Sequence, residues 1–162
     1  MTIVARGSFY TDLPVSSIGM YDQILVPTDG SPAADAAIDH AIDLAKQYDA
    51  RIHALYVVDG SAYSTLEAGS EIVVGALESE GEEATDRVAE AAADAGVEAV
   101  TSVVNGTAYR TISEYVDDNA IDLIVMGTHG RQGLDRYLLG SVTERVVRTA
   151  DVPVLTVREN DE

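Results

Sequence analysis

Cysteine is absent from the 162-residue chain, so neither a disulfide nor a thiolate metal site can form. Lysine is nearly absent as well: Lys46 is the only one. Ten basic residues face 28 acidic ones, and the resulting formal net charge of −18 repels nucleic acid and anionic lipid. No apolar run approaches the roughly 18 residues that a membrane-spanning helix needs. The P-loop pattern GxxxxGK[ST] and the dinucleotide fingerprint GxGxxG are both missing. Acid excess with lysine depletion resembles proteins of halophilic organisms, where concentrated salt screens self-repulsion. The acids are dispersed and form no long block, which favours a solvated surface over a dedicated acidic interaction face. Against these absences stands a hydrophobic fraction of 46%, an ordinary globular value. The length fits one domain with a substantial core.

Residues 1–20 show no helix or strand period, and their apolar portion is too short and interrupted for a signal peptide. They are expected to be a loose extension or a mis-assigned start. The regular pattern begins near Tyr21 and runs to Arg158, leaving 159–162 as a short acidic tail. The expected location is cytoplasmic. Apolar runs at Gln23–Pro27, Arg51–Val58, Val97–Val104, Ile121–Met126 and Val152–Val157 read as five strands. Helical patterns alternate with them. One starts at Ser31-Pro32, with Ser as N-cap and Pro at the first helical position, and ends near Tyr48. A long one covers Glu71–Ala95, with Gly75 or Gly81 as candidate breaks and Gly96 as the stop. A third is capped by Thr107 and runs to about Asn119, and a fourth spans Ser141–Thr149. Strands alternating with helices predict an α/β fold: an open five-stranded parallel sheet, Rossmann-like, with helices on both faces.

In such sheets ligands bind beyond the carboxyl ends of the strands, where the winding reverses. The strand Ile121–Met126 runs into Gly127-x2-Gly130-x9-Gly140-Ser141 and then a helix. Strand, glycine-punctuated loop and helix start form an arrangement that holds anions on converging N–H groups and the positive end of a helix dipole. Thr28-Asp29-Gly30 follows the first strand. If the first and fourth strands are neighbours, both segments face one crevice.

The segments VPTDGS (Val26 to Ser31), YVVD (Tyr56 to Asp59) and VMGTHGRQGLDRYLLGSVTERVVRTADVPVLTV (Val125 to Val157) resemble the universal stress protein family. The resemblance covers nearly everything from Tyr21 to Arg158. Its glycine motif, G-x2-G-x9-G-[ST], is that of the ATP-binding branch. What the resemblance implies is a fold that dimerises through its last strand, here Val152–Val157, and binds ATP. Gly127, Gly130 and Gly140 would be the loop glycines, each permitting positive φ or close approach of backbone to phosphate. Ser141 is read as an N-cap whose hydroxyl also suits a phosphate oxygen. Val142 and Thr143 would present first-turn N–H groups, and Thr143 a hydroxyl besides. Asp29 resembles the ribose-binding residue, although an Asp before Gly also forms turns unaided. Pro27 and Thr28 would line the crevice. Val57 would read the adenine edge through its backbone and Met126 would pack near the nucleoside, with ordinary core packing the strong alternative for both side chains. Arg131 is a candidate phosphate partner or a solvated loop residue. His129 fits a loop or dimer contact better than a catalyst, and His40 and His53 lack metal-ligand spacing.

Three functions follow in order. The first is a dimeric stress or regulatory protein that binds ATP with little or no turnover. Mg2+ would be held through the phosphates, because no P-loop lysine is present to neutralise them. The second is a slow ATPase or nucleotidyl-transfer enzyme; against it, no nucleophile–base pair stands near the loop and the SGGxDS loop is absent. The third is a dimeric interaction module without nucleotide.

Overall fold

The computed structural model describes residues 19–60, 70–130 and 139–159. Among the described residues nine elements alternate strictly: β1 (Gln23–Pro27), α1 (Pro32–Tyr48), β2 (Arg51–Val58), α2 (Ser70–Asp94), β3 (Ala99–Asn105), α3 (Ala108–Asp118), β4 (Leu123–Gly127), α4 (Ser141–Thr149) and β5 (Val154–Val157). The strands form one sheet in the order β3-β2-β1-β4-β5, with every pairing parallel. The winding therefore runs outward from β1 through β2 to β3, then returns to β4 on the other side of β1. The first and fourth strands are neighbours, in register at Ile24–Leu123 and Leu25–Ile124.

Helices on both faces explain why the central strands are continuous apolar runs. Alternate side chains of β1 and β4 enter different cores. Ile24, Val26, Leu123 and Val125 pack with Ala37, Ala41 and Ala45 of α1 and Val88 of α2. Leu25, Ile124 and Met126 pack with Ile112 and Val116 of α3 and Val146 of α4. Small alanines on α1 allow its backbone to lie close to the sheet.

The helix ends carry local causes. Ser31 caps α1, its Oγ accepting from Ala34 N at 3.3 Å, and Pro32 follows at the first position. Asp49, at φ 56°, ends the helix in the left-handed region. α2 runs unbroken through Gly75 and Gly81, the two candidate breaks. A Cβ on Gly81 would stand 2.7 Å from Cδ1 of Tyr56, so this glycine admits the β2 ring against the helix.

Three strands start later than their apolar patterns suggest. Val97 belongs to the closure of α2, its N–H donating to Ala92 O at 2.8 Å, and β3 begins at Ala99. Ile121 N donates to Val116 O at 3.0 Å in the same way, closing α3 before β4 begins at Leu123. β5 begins at Val154 rather than Val152; Pro153, which has no N–H, contributes its carbonyl to Ile124 N at 3.0 Å. At the start of α3, Thr107 occupies the N-cap position, but its hydroxyl makes no capping bond.

Among the described residues no helix is long and apolar enough to cross a membrane. One partly buried polar chain ties β1, β2, β3 and α3 together. His53 Nε2 lies 2.7 Å from Gln23 Oε1, and His53 Nδ1 lies 3.0 Å from Tyr115 Oη. Tyr115 Oη is in turn 3.2 Å from Ser102 Oγ. Burial and then the Arg51 charge lower the His53 pKa from its ordinary 6.5.

Candidate functional site

The crevice forms where β1 and β4 end and their chains part towards α1 and α4. On the β1 side, the turn Thr28–Ser31 consumes its own donors. Thr28 Oγ1 accepts from Gly30 N at 3.1 Å, and Asp29 Oδ1 accepts from Ser31 N at 3.0 Å. Thr28 is itself fixed, its N–H donating to Leu55 O at 2.9 Å, and Pro27 and Thr28 are both buried.

That bond to Leu55 also orients Val57. In a parallel ladder the N–H and C=O of one residue point to the same side, and residues two apart share a side. The β1–β2 register ends at Pro27–Leu55, whereas β2 continues to Val58. The backbone groups of Val57 therefore point to the side where β1 has already ended. Its side chain is partly buried against the α3–α4 core. Met126, only 5% exposed, lies in the same core, and packing alone accounts for it.

On the β4 side the glycines act through their neighbours. None of Gly127, Gly130 and Gly140 has positive φ; among the described glycines that conformation belongs to Gly30 and Gly96. A Cβ on Gly127 would meet the α1 backbone, 2.7 Å from Ala33 C and 2.9 Å from Ala34 N. Gly127 is thus needed for the seating of α1 over the end of β4. A Cβ on Gly130 would collide with Asp29 Oδ2, so this glycine brings the second motif against the first. A Cβ on Gly140 would lie 3.1 Å from His129 Cα.

The loop is pinned at both ends by Thr128, a residue that sequence reading passed over. Its N–H donates to Val157 O at 2.9 Å, and its carbonyl accepts from Gly140 N at 2.8 Å. Its hydroxyl lies 3.1 Å from His129 Nδ1. The signal for Thr128 was its place between a buried strand and two nearby glycines, where a small polar side chain can anchor a turn.

Gly140, rather than Ser141, is the N-cap of α4. Ser141 is the first helical residue and is exposed, so its hydroxyl does no capping. A glycine cap has no side-chain acceptor, and the first-turn N–H groups at Ser141, Val142 and Thr143 are those that a helix leaves without intrahelical partners. Thr143 is 3% exposed, and its hydroxyl donates to Gly127 O at 2.9 Å. It staples the helix start to the end of β4 rather than projecting into the crevice. Arg131 lies outside the described residues. Among the described residues no three His, Asp or Glu side chains converge as a metal site. A separate furrow between α3 and α4, lined by Ile112, Val116, Ile124 and Thr149, holds none of the crevice residues.

Fold and crevice together define an open parallel α/β protein with a glycine-capped helix start at its topological switch point. The chain belongs to the universal stress protein family, whose model matches residues 20–158. A universal stress protein of Methanocaldococcus jannaschii, MJ0531, is 44% identical over 142 residues, 86% of this chain and 84% of the relative. The solved structure of the hypothetical protein MJ0577 superposes with a TM-score of 0.79 at 29% identity, covering 88% of this chain and 99% of that one. A universal stress protein solved in complex with cAMP gives 0.61 at 26% identity, covering 86% and 98%.

Proposed function

We propose that the crevice binds an adenine nucleotide, with ATP as its ligand, and that the protein serves as a nucleotide-dependent stress or regulatory factor rather than a fast catalyst. The observation that carries this reading is the glycine-capped start of α4, facing the same crevice as Asp29 and the backbone of Val57. A phosphate chain would take the place of the missing cap on the N–H groups of Ser141, Val142 and Thr143. Asp29 would accept from the ribose hydroxyls, and the Val57 backbone would meet the base edge. Mg2+ would travel on the phosphates. The cAMP complex of a relative supports a nucleotide in this fold.

We further propose a homodimer through β5, an edge strand whose Leu155 is 38% exposed. The net charge of −18 suits a solvated surface in concentrated salt. Calorimetric titration of the purified chain with ATP, ADP and AMP in high salt, with and without Mg2+, tests the ligand. Saturable ATP binding with negligible phosphate release is expected. Absence of any nucleotide binding would refute the reading, and multiple turnovers would replace the regulatory role with an enzymatic one.

A further inference from the structure

Five of the described arginines make a contact of one of two kinds. Arg51, Arg87 and Arg148 are each paired with a carboxylate, of Glu98, Asp35 and Glu144 respectively. Arg110 and Arg145 instead converge on an aromatic ring. The Arg145 guanidinium lies 4.6 Å from the centroid of Tyr109, and that of Arg110 lies 5.8 Å from it. Arg110 Nε also donates to Tyr109 Oη at 3.0 Å. The Arg110 hydrogen bond and then the charges of both arginines, against an opposing effect of desolvation, hold the phenol below its ordinary pKa.

This cluster stands at the carboxyl edge of the sheet. Tyr109 is the second residue of α3, which starts just beyond the end of β3, and α3 packs beside α4. Arg145 lies one turn beyond Ser141, four residues along and so on the same stripe of α4. Side chains on a helix lean towards its N-terminus. The Arg145 stem therefore rises towards the N–H groups that the nucleotide reading assigns to phosphate. Resting on a ring restrains a long side chain in advance, so less freedom is lost when it engages an anion.

We propose that Arg145, supported by Tyr109 and Arg110, recognises the terminal phosphates of a nucleoside di- or triphosphate and makes the site discriminate against monophosphates. The inference rests on the nucleotide reading of the crevice and deepens it. An acidic chain that takes a highly anionic ligand needs local positive charge to offset its own field. Backbone N–H groups at α4 serve a first phosphate equally in AMP and ATP. A cation one turn away serves only a longer phosphate chain.

The test is calorimetric titration of ATP, AMP and tripolyphosphate into the full chain and into Arg145→Gln. Arg148→Gln serves as a control with the same change in net charge on the same helix. Loss of one charge-assisted contact predicts about tenfold weaker ATP binding in Arg145→Gln. AMP affinity should stay within about twofold, and Arg145→Lys should recover part of the ATP affinity. Tripolyphosphate should compete with ATP on the wild-type chain and lose that ability in Arg145→Gln. Equal weakening of ATP and AMP in Arg145→Gln, no change in either, or an equal effect of Arg148→Gln would overturn this inference alone. Failure of the wild-type chain to bind any of the three would overturn it together with the nucleotide reading.

Discussion

Gly127 and Gly130 belong to one motif, yet alanine at the two positions should give opposite results. At Gly127 the new methyl would stand 2.7 Å from the Ala33 carbonyl carbon and 2.9 Å from Ala34 N, both backbone atoms of the first turn of α1. Neither can rotate away, so α1 or β4 must shift. Overpacking of this kind typically costs about 1–3 kcal/mol, and a clash with backbone belongs at the upper end. For a chain of this size the corresponding fall in Tm is about 6–12 °C. At Gly130 the methyl meets only the Asp29 carboxylate, which can swing aside. The swing breaks the Asp29 Oδ1 bond to Ser31 N, worth about 1 kcal/mol. Restricting the unfolded chain returns about 0.4–1 kcal/mol, because Gly130 does not use positive φ. Gly130→Ala should therefore melt within a few degrees of wild type, while displacement of Asp29 weakens nucleotide binding about tenfold or more. Differential scanning calorimetry and titration on the same samples separate the two effects. The reasoning fails if Gly127→Ala melts with wild type, or if Gly130→Ala binds ATP unchanged.

Other predictions draw on single contacts. Thr143→Val keeps the shape of a buried side chain but leaves Gly127 O without its hydroxyl donor, which should cost about 1–2 kcal/mol in denaturant unfolding; Thr143→Ser should recover most of it, and an unchanged midpoint for Val would remove the staple from the account. The folded pKa of His53 lies below the unfolded value of 6.5, so the unfolded chain binds more protons just under that pH. The stability from His53 is thus present above pH 6.5 and lost as pH falls from 6.5 to its lowered folded pKa. His53→Gln should flatten that part of the stability–pH curve, and an unaltered slope would assign the acid sensitivity elsewhere. Leu155→Lys on the β5 edge should shift the mass measured by light scattering from dimer to monomer, whereas wild type eluting as a monomer would dispose of the proposed interface.

The parts of the fold written in local chemistry were legible in the sequence. Ser31-Pro32 marks a helix start by side-chain capping and fixed φ, and α1 begins there. The runs QILVP and RIHALYVV coincide with β1 and β2. Val97 and Ile121 misled because an apolar residue just past a helix looks like a strand. Their N–H groups instead close α2 and α3, and their side chains enter the core. The glycines show a sharper limit. A glycine in a sequence can signal positive φ, a ligand or a neighbouring atom, and only the fold distinguishes these. Gly81 looked like a candidate helix break and is a seat for Tyr56; at Gly127, read as a loop glycine, the fold adds a packing role, a seat for Ala33. Ser141 was read as a cap because serine favours that position, but the backbone gives it to Gly140. The placing of Arg145 on Tyr109 depends on α3 and α4 lying side by side, which no local pattern encodes.

Two helix starts border the crevice, and their chemistry differs in a way that assigns the ends of a ligand. The start of α1 is closed: Ser31 Oγ accepts from Ala34 N, Asp29 accepts from Ser31 N, and Asp35 adds an acidic group in the first turn. An anion there would meet satisfied donors and two carboxylates. The start of α4 also has an acid in its first turn, Glu144, but that carboxylate is paired with Arg148, the cap has no side chain, and Arg145 lies one turn along. Both helices direct the positive ends of their dipoles to the same edge of the sheet, so the dipole alone cannot choose between them. Local capping does. On the proposed reading it would direct phosphates to α4 and leave Asp29 for neutral hydroxyl donors, which a carboxylate accepts without repulsion. A ribose phosphate meets both requirements across the short distance separating neighbouring strands, whereas a free inorganic anion would use only the α4 half. The gap between a self-capped helix and a glycine-capped one is therefore a stronger argument for a nucleotide than the glycine spacing taken alone.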